Sequence, residues 1–404
     1  MSVTEVSGPP VEADLSDEER AIQATAHRYA REVMRPVGIV LDRMTPEQVI
    51  APDSPYWAAR RQYLELGLDL TDAARGLSPV EVARLTYLVH EELGWGDLGL
   101  GWGFYGASFP SALAQAMGRA DLEQIFTPDR IGCWGITEPD HGSDLLDFER
   151  SLSPIEHGGK HSSCVAIRRG ERIVIRGQKS AWVSNGSIAK DMSLFCRYDD
   201  GTGAPGFGAF LVPLDLPGVR RSPPVRKMGV RSMSDSEIFF DDVEIPASYM
   251  VCGPKEYPAL LRGILVGANP GMAIFLVGVA RAAFEHALAY AKIRVQGGKP
   301  IFEHQAIRLK LFDMYRKIQA ARALARHVMV THAGNPSPYF PLAASAKVTG
   351  SQFALEVVST AFEIFGGYAK TEEYPIEKLL RDVRMGTVAD GTNDVLSLMA
   401  AAQL

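Results

Sequence analysis

Four short groups of residues in this chain have types and spacings that could do chemistry. Near the C-terminus Asp390 precedes Gly391 and Thr392, which puts a carboxylate on a turn. A carboxylate held away from bulk water is a stronger base than one in water, so Asp390 could take a proton from carbon. Lys179 to Gly186 reads as a strand end running into a turn, and Trp182 and Ser184, two residues apart, would share one face. An aromatic beside a hydroxyl can stack on a flavin and donate to its N5. The run Ile136-Thr137-Glu138-Pro139-Asp140-His141-Gly142-Ser143-Asp144 is a turn. Such turns can also cradle a pyrophosphate on backbone N–H groups. Gly366-Gly367 permits close approach of backbone to a ligand. Together these groups suggest a flavin rather than a nicotinamide or a metal. Singly, each has a plainer reading: a core tryptophan, a common Asp-Gly turn, a solvated acid.

The elements that must position these residues change texture twice. Ser16 caps a first helix with Glu19 as its capping-box partner; the helix runs over Glu18–Val33 and Pro36 stops it. Residues 1–15 read as disordered. Further helices fall near 54–66, 79–94 and 108–117. From Gly132 to about Ala247 the chain reads as strands: Cys164–Ile167, Arg172–Ile175, Met192–Arg197, Phe207–Pro213 and Ser236–Phe240. Three long helical patterns follow: Met272–Lys292, Gln305–His332 and Tyr339–Phe365. A literal Gly-x-Gly-x-x-Gly at 101–106 follows a helical segment rather than a strand, so it is rejected as a nucleotide site. A bend with pocket-lining aromatics is the expectation there.

Bulk properties narrow the function classes. The chain has 404 residues, 46% hydrophobic and 22% charged, an ordinary globular composition with room for two or three domains. Its net charge of -6, without a basic run, leaves no nucleic-acid footprint. Cys133, Cys164, Cys196 and Cys252 are scattered without CxxC spacing, which fits reduced thiols in the cytoplasm and no metal site. The acidic, polar N-terminus does not read as a signal peptide. Gly263 to Ala280 is uncharged and long enough to raise the question of a membrane. Asn269-Pro270 and three further glycines interrupt it, so it reads as a buried helix.

The order of the motifs resembles the acyl-CoA dehydrogenase family of flavoproteins. The C-terminal run Phe365-Gly366-Gly367-Tyr368, Glu373-Tyr374-Pro375-Ile376-Glu377-Lys378-Leu379-Leu380-Arg381-Asp382 and Asp390-Gly391-Thr392 is similar to the family signature. The Thr137–Asp144 and Trp182–Ser184 segments, Lys227–Ser232 with Ile238–Pro246, and Arg294–Ile307 match in order, from Ser16 onward. The resemblance implies an α+β fold: an N-terminal helical domain (1–130), a β-barrel-like middle domain (131–249) and a C-terminal four-helix bundle (250–404). It implies FAD between the last two domains, usually in a homotetramer, with an acyl-CoA substrate. An electron acceptor is also implied, electron-transfer flavoprotein being one candidate. Ile136 and Thr137 would meet the pyrimidine side of the flavin and Ser143 its pyrophosphate. Trp182 would stack on the ring and Ser184 would bond near N5. Arg294 and Gln296 would bind the FAD diphosphate of a neighbouring subunit, while Gly366, Gly367 and Thr392 approach from the C-terminal domain. Asp390 would be the catalytic base, its own N–H helping to hold the thioester carbonyl while the β-hydride leaves for the flavin.

The chain departs from the family pattern at several positions. Most members carry Glu where Asp390 stands, and the shorter arm withdraws the carboxylate by about 1.5 Å. Branches with Asp there resemble alicyclic acyl-CoA dehydrogenases and nitroalkane oxidase, so a bulky, branched or cyclic acyl group is expected. The helix around Ala268, the source of the base in another branch, contains no acid. Glu363 and Asp394 replace Gln residues, an anionic pair that would repel a diphosphate, and Ser397 replaces Arg. The loss of that Arg weighs against nitroalkane oxidase. A flavin oxidase of that kind and a non-catalytic family member stay open as alternatives. The segment Phe148–Ser163 is longer than the usual hairpin, and its tip reads as a surface loop.

Overall fold

The structure, a computed structural model, describes residues 15–70, 74, 76–149, 163–202 and 206–404. The tip of the long hairpin and the first fourteen residues lie outside that set; Leu15, expected in the disordered arm, is buried. Helix α1 (Asp17–Tyr29) opens on the expected capping box, with Glu19 N donating to Ser16 Oγ at 3.1 Å and Ser16 N to Glu19 Oε2 at 2.8 Å. Pro36 does not stop this helix. The chain passes through a π turn (Ala30–Met34) into α2 (Arg35–Arg43), and Pro36 falls in the first turn of α2, where its missing N–H is tolerated. Then come α3 (Pro46–Ile50), α4 (Pro55–Glu65), α5 (Pro79–Gly96), α6 (Leu98–Gly106), α7 (Phe109–Ala116) and α8 (Ala120–Glu123).

The strands are β1 (Gly132–Gly135), β2 (Cys164–Arg169), β3 (Arg172–Ser184), β4 (Asp191–Asp199), β5 (Gly206–Pro213), β6 (Val219–Arg221), β7 (Asp235–Pro246) and β8 (Met250–Cys252). They form one mixed sheet in the order β6-β7-β3-β2-β4-β5-β8, with β1 parallel to the start of β4. The short strands β1, β6 and β8 escape the sequence reading, because three or four residues carry too little alternation. β3 and β7 are much longer than expected; register shifts between Ile175 and Gly177 and between Lys179 and Val183 break their pattern.

The C-terminal helices are α9 (Tyr257–Ile293), α10 (Gln305–His332), α11 (Phe340–Phe365), α12 (Ile376–Met385) and α13 (Asn393–Ala401). α9 begins fifteen residues before the expected Met272, with Pro270 inside it. It is long and apolar enough to cross a membrane, but most of it is buried against other helices of the chain. Glycines allow the closest of these contacts. A Cβ on Gly94 of α5 would lie 2.0 Å from Phe275 O, and one on Gly278 of α9 would lie 2.1 Å from Glu91 O. Below that crossing Glu91 accepts from Arg322 at 2.7 and 2.9 Å, from Arg326 at 2.8 Å and from Arg281 at 2.8 Å. Burial alone would raise the Glu91 carboxyl; these guanidiniums, Arg322 foremost, hold it well below the usual carboxylate range. α5, α9 and α10 are thereby locked together beneath the site.

Candidate active site

The turn after α12 carries Asp390 into the left-handed region, φ 51°. Gly391 follows at φ 92°, and Thr392 caps α13 by accepting from Val395 N at 3.3 Å. The turn meets the Gly-Ser-Asp segment of the sheet half directly: Thr392 N donates to Ser143 Oγ at 3.1 Å, and a Cβ on Gly391 would come within 3.0 Å of Leu146. Two distant stretches of sequence thus close on each other. Asp390 is exposed to solvent, with protein packed around the base of its side chain as at the rim of a cleft. That crowding raises its carboxyl above the usual range, while the Lys347 ammonium opposes the rise. Among the described residues nothing bonds to the Asp390 carboxylate, and its backbone N–H donates to no acceptor.

The Gly-rich segment is helix α6, not the expected bend. Its glycines let it press on its neighbours: a Cβ on Gly99 would lie 2.3 Å from Ser232 Oγ, and one on Gly101 3.1 Å from the Phe275 ring. α6 brings Tyr105 toward Asp390, whose charge adds to burial in pushing the Tyr105 phenol up to about 12. Tyr105 also packs edge-on against His90 and Phe109. The end of β3 is tied to the same helix, since Asn185 Nδ2 donates to Gly103 O at 2.8 Å. Ser184, next in sequence to Asn185, is therefore delivered beside the helix that carries Tyr105.

The turn at Ile136 and Thr137 docks on the same stretch of β3. Ser180 N donates to Thr137 O at 3.0 Å. The fully buried Lys179 donates to Ile136 O at 3.0 Å and Glu138 Oε1 at 2.7 Å. Ile136 is buried, Thr137, Ser143 and Ser184 are half-buried, and Trp182 stands 64% exposed. Ile136, Thr137, Ser143, Trp182, Ser184, Asp390 and Thr392 thus line one junction between sheet and helices.

Arg294, Gln296, Glu363, Gly366 and Gly367 form a second group at the far end of α11, while Asp394 stays with the Asp390 turn in the first turn of α13. Gly366 is nineteen residues beyond Lys347, about 28 Å along the helix. Arg294 lies over the Tyr368 ring at 5.8 Å, and exposed Gln296 offers its carbonyl to His304 Nε2 at 3.0 Å. Gly366 and Gly367 are exposed. The Glu363 carboxylate accepts from Lys310 at 2.5 Å. Asp394 is exposed on α13, whose Asn393 donates to Ser351 Oγ at 2.9 Å, twelve residues before Glu363. Glu363 and Asp394 therefore do not make the anionic pair expected from sequence: about 18 Å of helix separates them, and Glu363 has its own cation.

A cleft of about 810 Å³ opens next to the junction. Its walls include Phe148, Arg262, Val266, Pro270, Met329 and His332. Arg262, Val266 and Pro270 recur every four residues on one face of α9. Phe148 follows Leu146, which touches Gly391, so cleft and Asp390 share the 143–148 segment. Arg262 donates to Pro338 O at 3.3 Å, and its buried Nε has no partner among the described residues.

Comparison with known proteins agrees with this arrangement. The acyl-CoA dehydrogenase middle-domain model matches residues 133–243, and the C-terminal-domain model matches residues 263–404. The benzylmalonyl-CoA dehydrogenase of Aromatoleum aromaticum is 31% identical over 403 residues, covering 97% of this chain and 99% of that protein. The chain belongs to the acyl-CoA dehydrogenase family. It is an oxidoreductase of that kind. The cyclohex-1-ene-1-carbonyl-CoA dehydrogenase of Syntrophus aciditrophicus is 30% identical over 66% of this chain and 61% of its own length. The butyryl-CoA dehydrogenase structure from Megasphaera elsdenii superimposes with a TM-score of 0.82 at 26% identity, covering 97% of this chain and 99% of that one.

The family implies FAD, and the residues present fit it. Trp182 offers a large exposed aromatic face beside a hydroxyl. A Cβ placed on Gly142, Gly366 or Gly367 would meet nothing within 4 Å, so backbone is bare at both groups of sites. Sequence reasoning missed Lys347 and Arg262, and gave Tyr105 only as one of the pocket-lining aromatics of the glycine segment. Lys347 had a signal, being the only charged residue between Phe340 and Gly350.

Proposed function

We propose that this protein carries out FAD-dependent α,β-dehydrogenation of an acyl-CoA thioester with a bulky, branched or cyclic acyl group. The observation that carries the reading is Asp390: a carboxylate without a protein partner, crowded by protein, beside its own unengaged N–H. Asp390 removes the α-proton, and its backbone N–H bonds the thioester carbonyl, where negative charge develops. Crowding by protein keeps the carboxyl basic enough for a carbon acid. When bound, FAD supplies the acceptor for the β-hydrogen. Trp182, Ser184, Ile136 and Thr137 hold its ring system, and Ser143 and Thr392 hold the adjoining chain. The cleft along α9 takes the long arm of the CoA ester, with Arg262 Nε offered to a phosphate.

The relatives' names support the acyl class: one acts on a benzylmalonyl thioester and another on a cyclohexenecarbonyl thioester. Arg294, Gln296, Glu363, Gly366 and Gly367 lie away from this junction, and we assign them to the FAD of a neighbouring copy in a homotetramer; Asp394, in the first turn of α13, stays on the Asp390 side. An electron-transfer flavoprotein is the acceptor we expect, and the cytoplasm is the compartment, given four free cysteines.

The test is anaerobic titration of the flavin-loaded protein with butyryl-CoA, cyclohexanecarbonyl-CoA and 3-phenylpropanoyl-CoA. The reading expects bleaching by the cyclic or aryl thioester, lost in Asp390→Asn while flavin stays bound. Full bleaching by Asp390→Asn would show another group to be the base.

A further inference from the structure

One side chain anchors the Asp390 turn from beneath. Lys347, on α11, is fully buried. Its Nζ donates to Gly391 O at 2.7 Å and to Asn393 Oδ1 at 2.9 Å. Asn393 is itself clamped by Ser351, at 2.9 Å through Nδ2 and 3.1 Å through Oδ1. Lys347 therefore holds the residue just after Asp390 and the one that begins α13. No carboxylate among the described residues lies within ion-pair distance of it, and the negative charge that acts on it is Asp390. Burial draws the ammonium down to about 8, which still leaves it charged at neutral pH.

A buried ammonium without a carboxylate partner is expensive to keep. An uncharged side chain could fill the same space. The charge itself therefore needs a use, and its position under Asp390 supplies one. Covering Asp390 with a thioester would desolvate the carboxylate further and favour its protonated, inactive form. A fixed cation below opposes that. We propose that Lys347 is the positioning residue of the site, holding the Asp390 turn in place and keeping the carboxylate ionised when substrate closes over it. This rests on the reading of Asp390 as the base.

Among the described residues, the other charged or titratable groups around the turn are few. Tyr105 faces Asp390 from α6. The segment that meets Thr392 brings Asp147 and the ion pair of His141 with Asp144. Arg384 ends α12 and Asp394 begins α13. From Asn269 to Ala280, α9 has no titratable side chain.

The experiment follows the protonation of Asp390 without needing turnover. Holoprotein is labelled with a water-soluble carbodiimide and glycinamide across a pH series, and the peptide containing Asp390 is quantified by mass. In Lys347→Met the pH of half-labelling should rise by about one unit, the effect of removing a close opposite charge. Lys347→Gln, which keeps a donor for Gly391 O but removes the charge, should raise it likewise and decides the matter if Lys347→Met does not fold. An unchanged half-labelling pH in the folded variant overturns the proposal. Bleaching retained by Asp390→Asn removes the base assignment instead, whatever the labelling shows.

Discussion

Replacing Lys378 by Met should loosen the joint between the three parts of the chain. Lys378 donates to Asp97 Oδ2 and to Asp382 Oδ2, each at 2.6 Å, and all three are buried. Asp97 also accepts from Leu100 N at 2.9 Å and from Ser232 Oγ at 2.5 Å, and Asp382 accepts from Val230 N at 2.6 Å. One ammonium thus links α6, α12 and the loop before β7. Its removal leaves two buried carboxylates uncompensated, a loss of about 3–5 kcal/mol. At ~2.1 cal/mol/K per residue, 404 residues give an unfolding entropy of ~0.85 kcal/mol/K, so Tm should fall by ~4–6 °C. Scanning calorimetry of the flavin-loaded protein reads this directly. The pH dependence is a second check. Burial already holds the Asp382 carboxyl above the usual range despite Lys378, and without the ammonium it rises further. A carboxyl that binds its proton more tightly when folded stabilises the fold as pH falls. The lysine's folded value is raised above 10.5, so its own contribution is constant well below that pH. The Tm gap between wild type and variant should therefore be smaller at about pH 5 than at about pH 8. A fall of less than about 1 °C, or a gap that widens toward acid, would refute the reasoning.

Two further outcomes are expected. Glu91→Gln should lower Tm by several degrees through loss of the carboxylate that three arginines surround. Because the folded Glu91 value lies below its ordinary 4.5, the stability it contributes is complete above that pH and is lost as pH falls below it; acid unfolding of wild type and variant should converge there. Trp182→Ala should leave Tm of the flavin-free protein within about 1 °C, since the ring is 64% exposed. The same variant should release FAD several-fold more readily in a flavin-fluorescence titration.

Much of the layout is legible in the chain itself. The capping box at Ser16, the period of α10 and α11, and the glycine- and proline-bounded strands are local features, set by residues within a few positions of one another. The type and order of the site residues are also local, which is why Asp390, Trp182 and Ser184 can be picked out before any coordinates. What the chain alone does not give is which of those residues meet. Ser143 and Thr392 are 249 positions apart, yet one hydrogen bond joins them. Lys347 is just a helix residue until α13 sets Asn393 over it, and Glu363 and Asp394 look like neighbours until α11 separates them. Pro36 and Pro270 read as breaks because their local preference is clear; packing and position within the helix override it. Contacts between distant segments come from the global packing of apolar faces, whose energy is non-directional and not written at any single position. Residue types therefore follow from sequence, while the partnerships that leave Asp390 an unpaired carboxylate at the rim of the junction exist only once the helices and sheet have packed together.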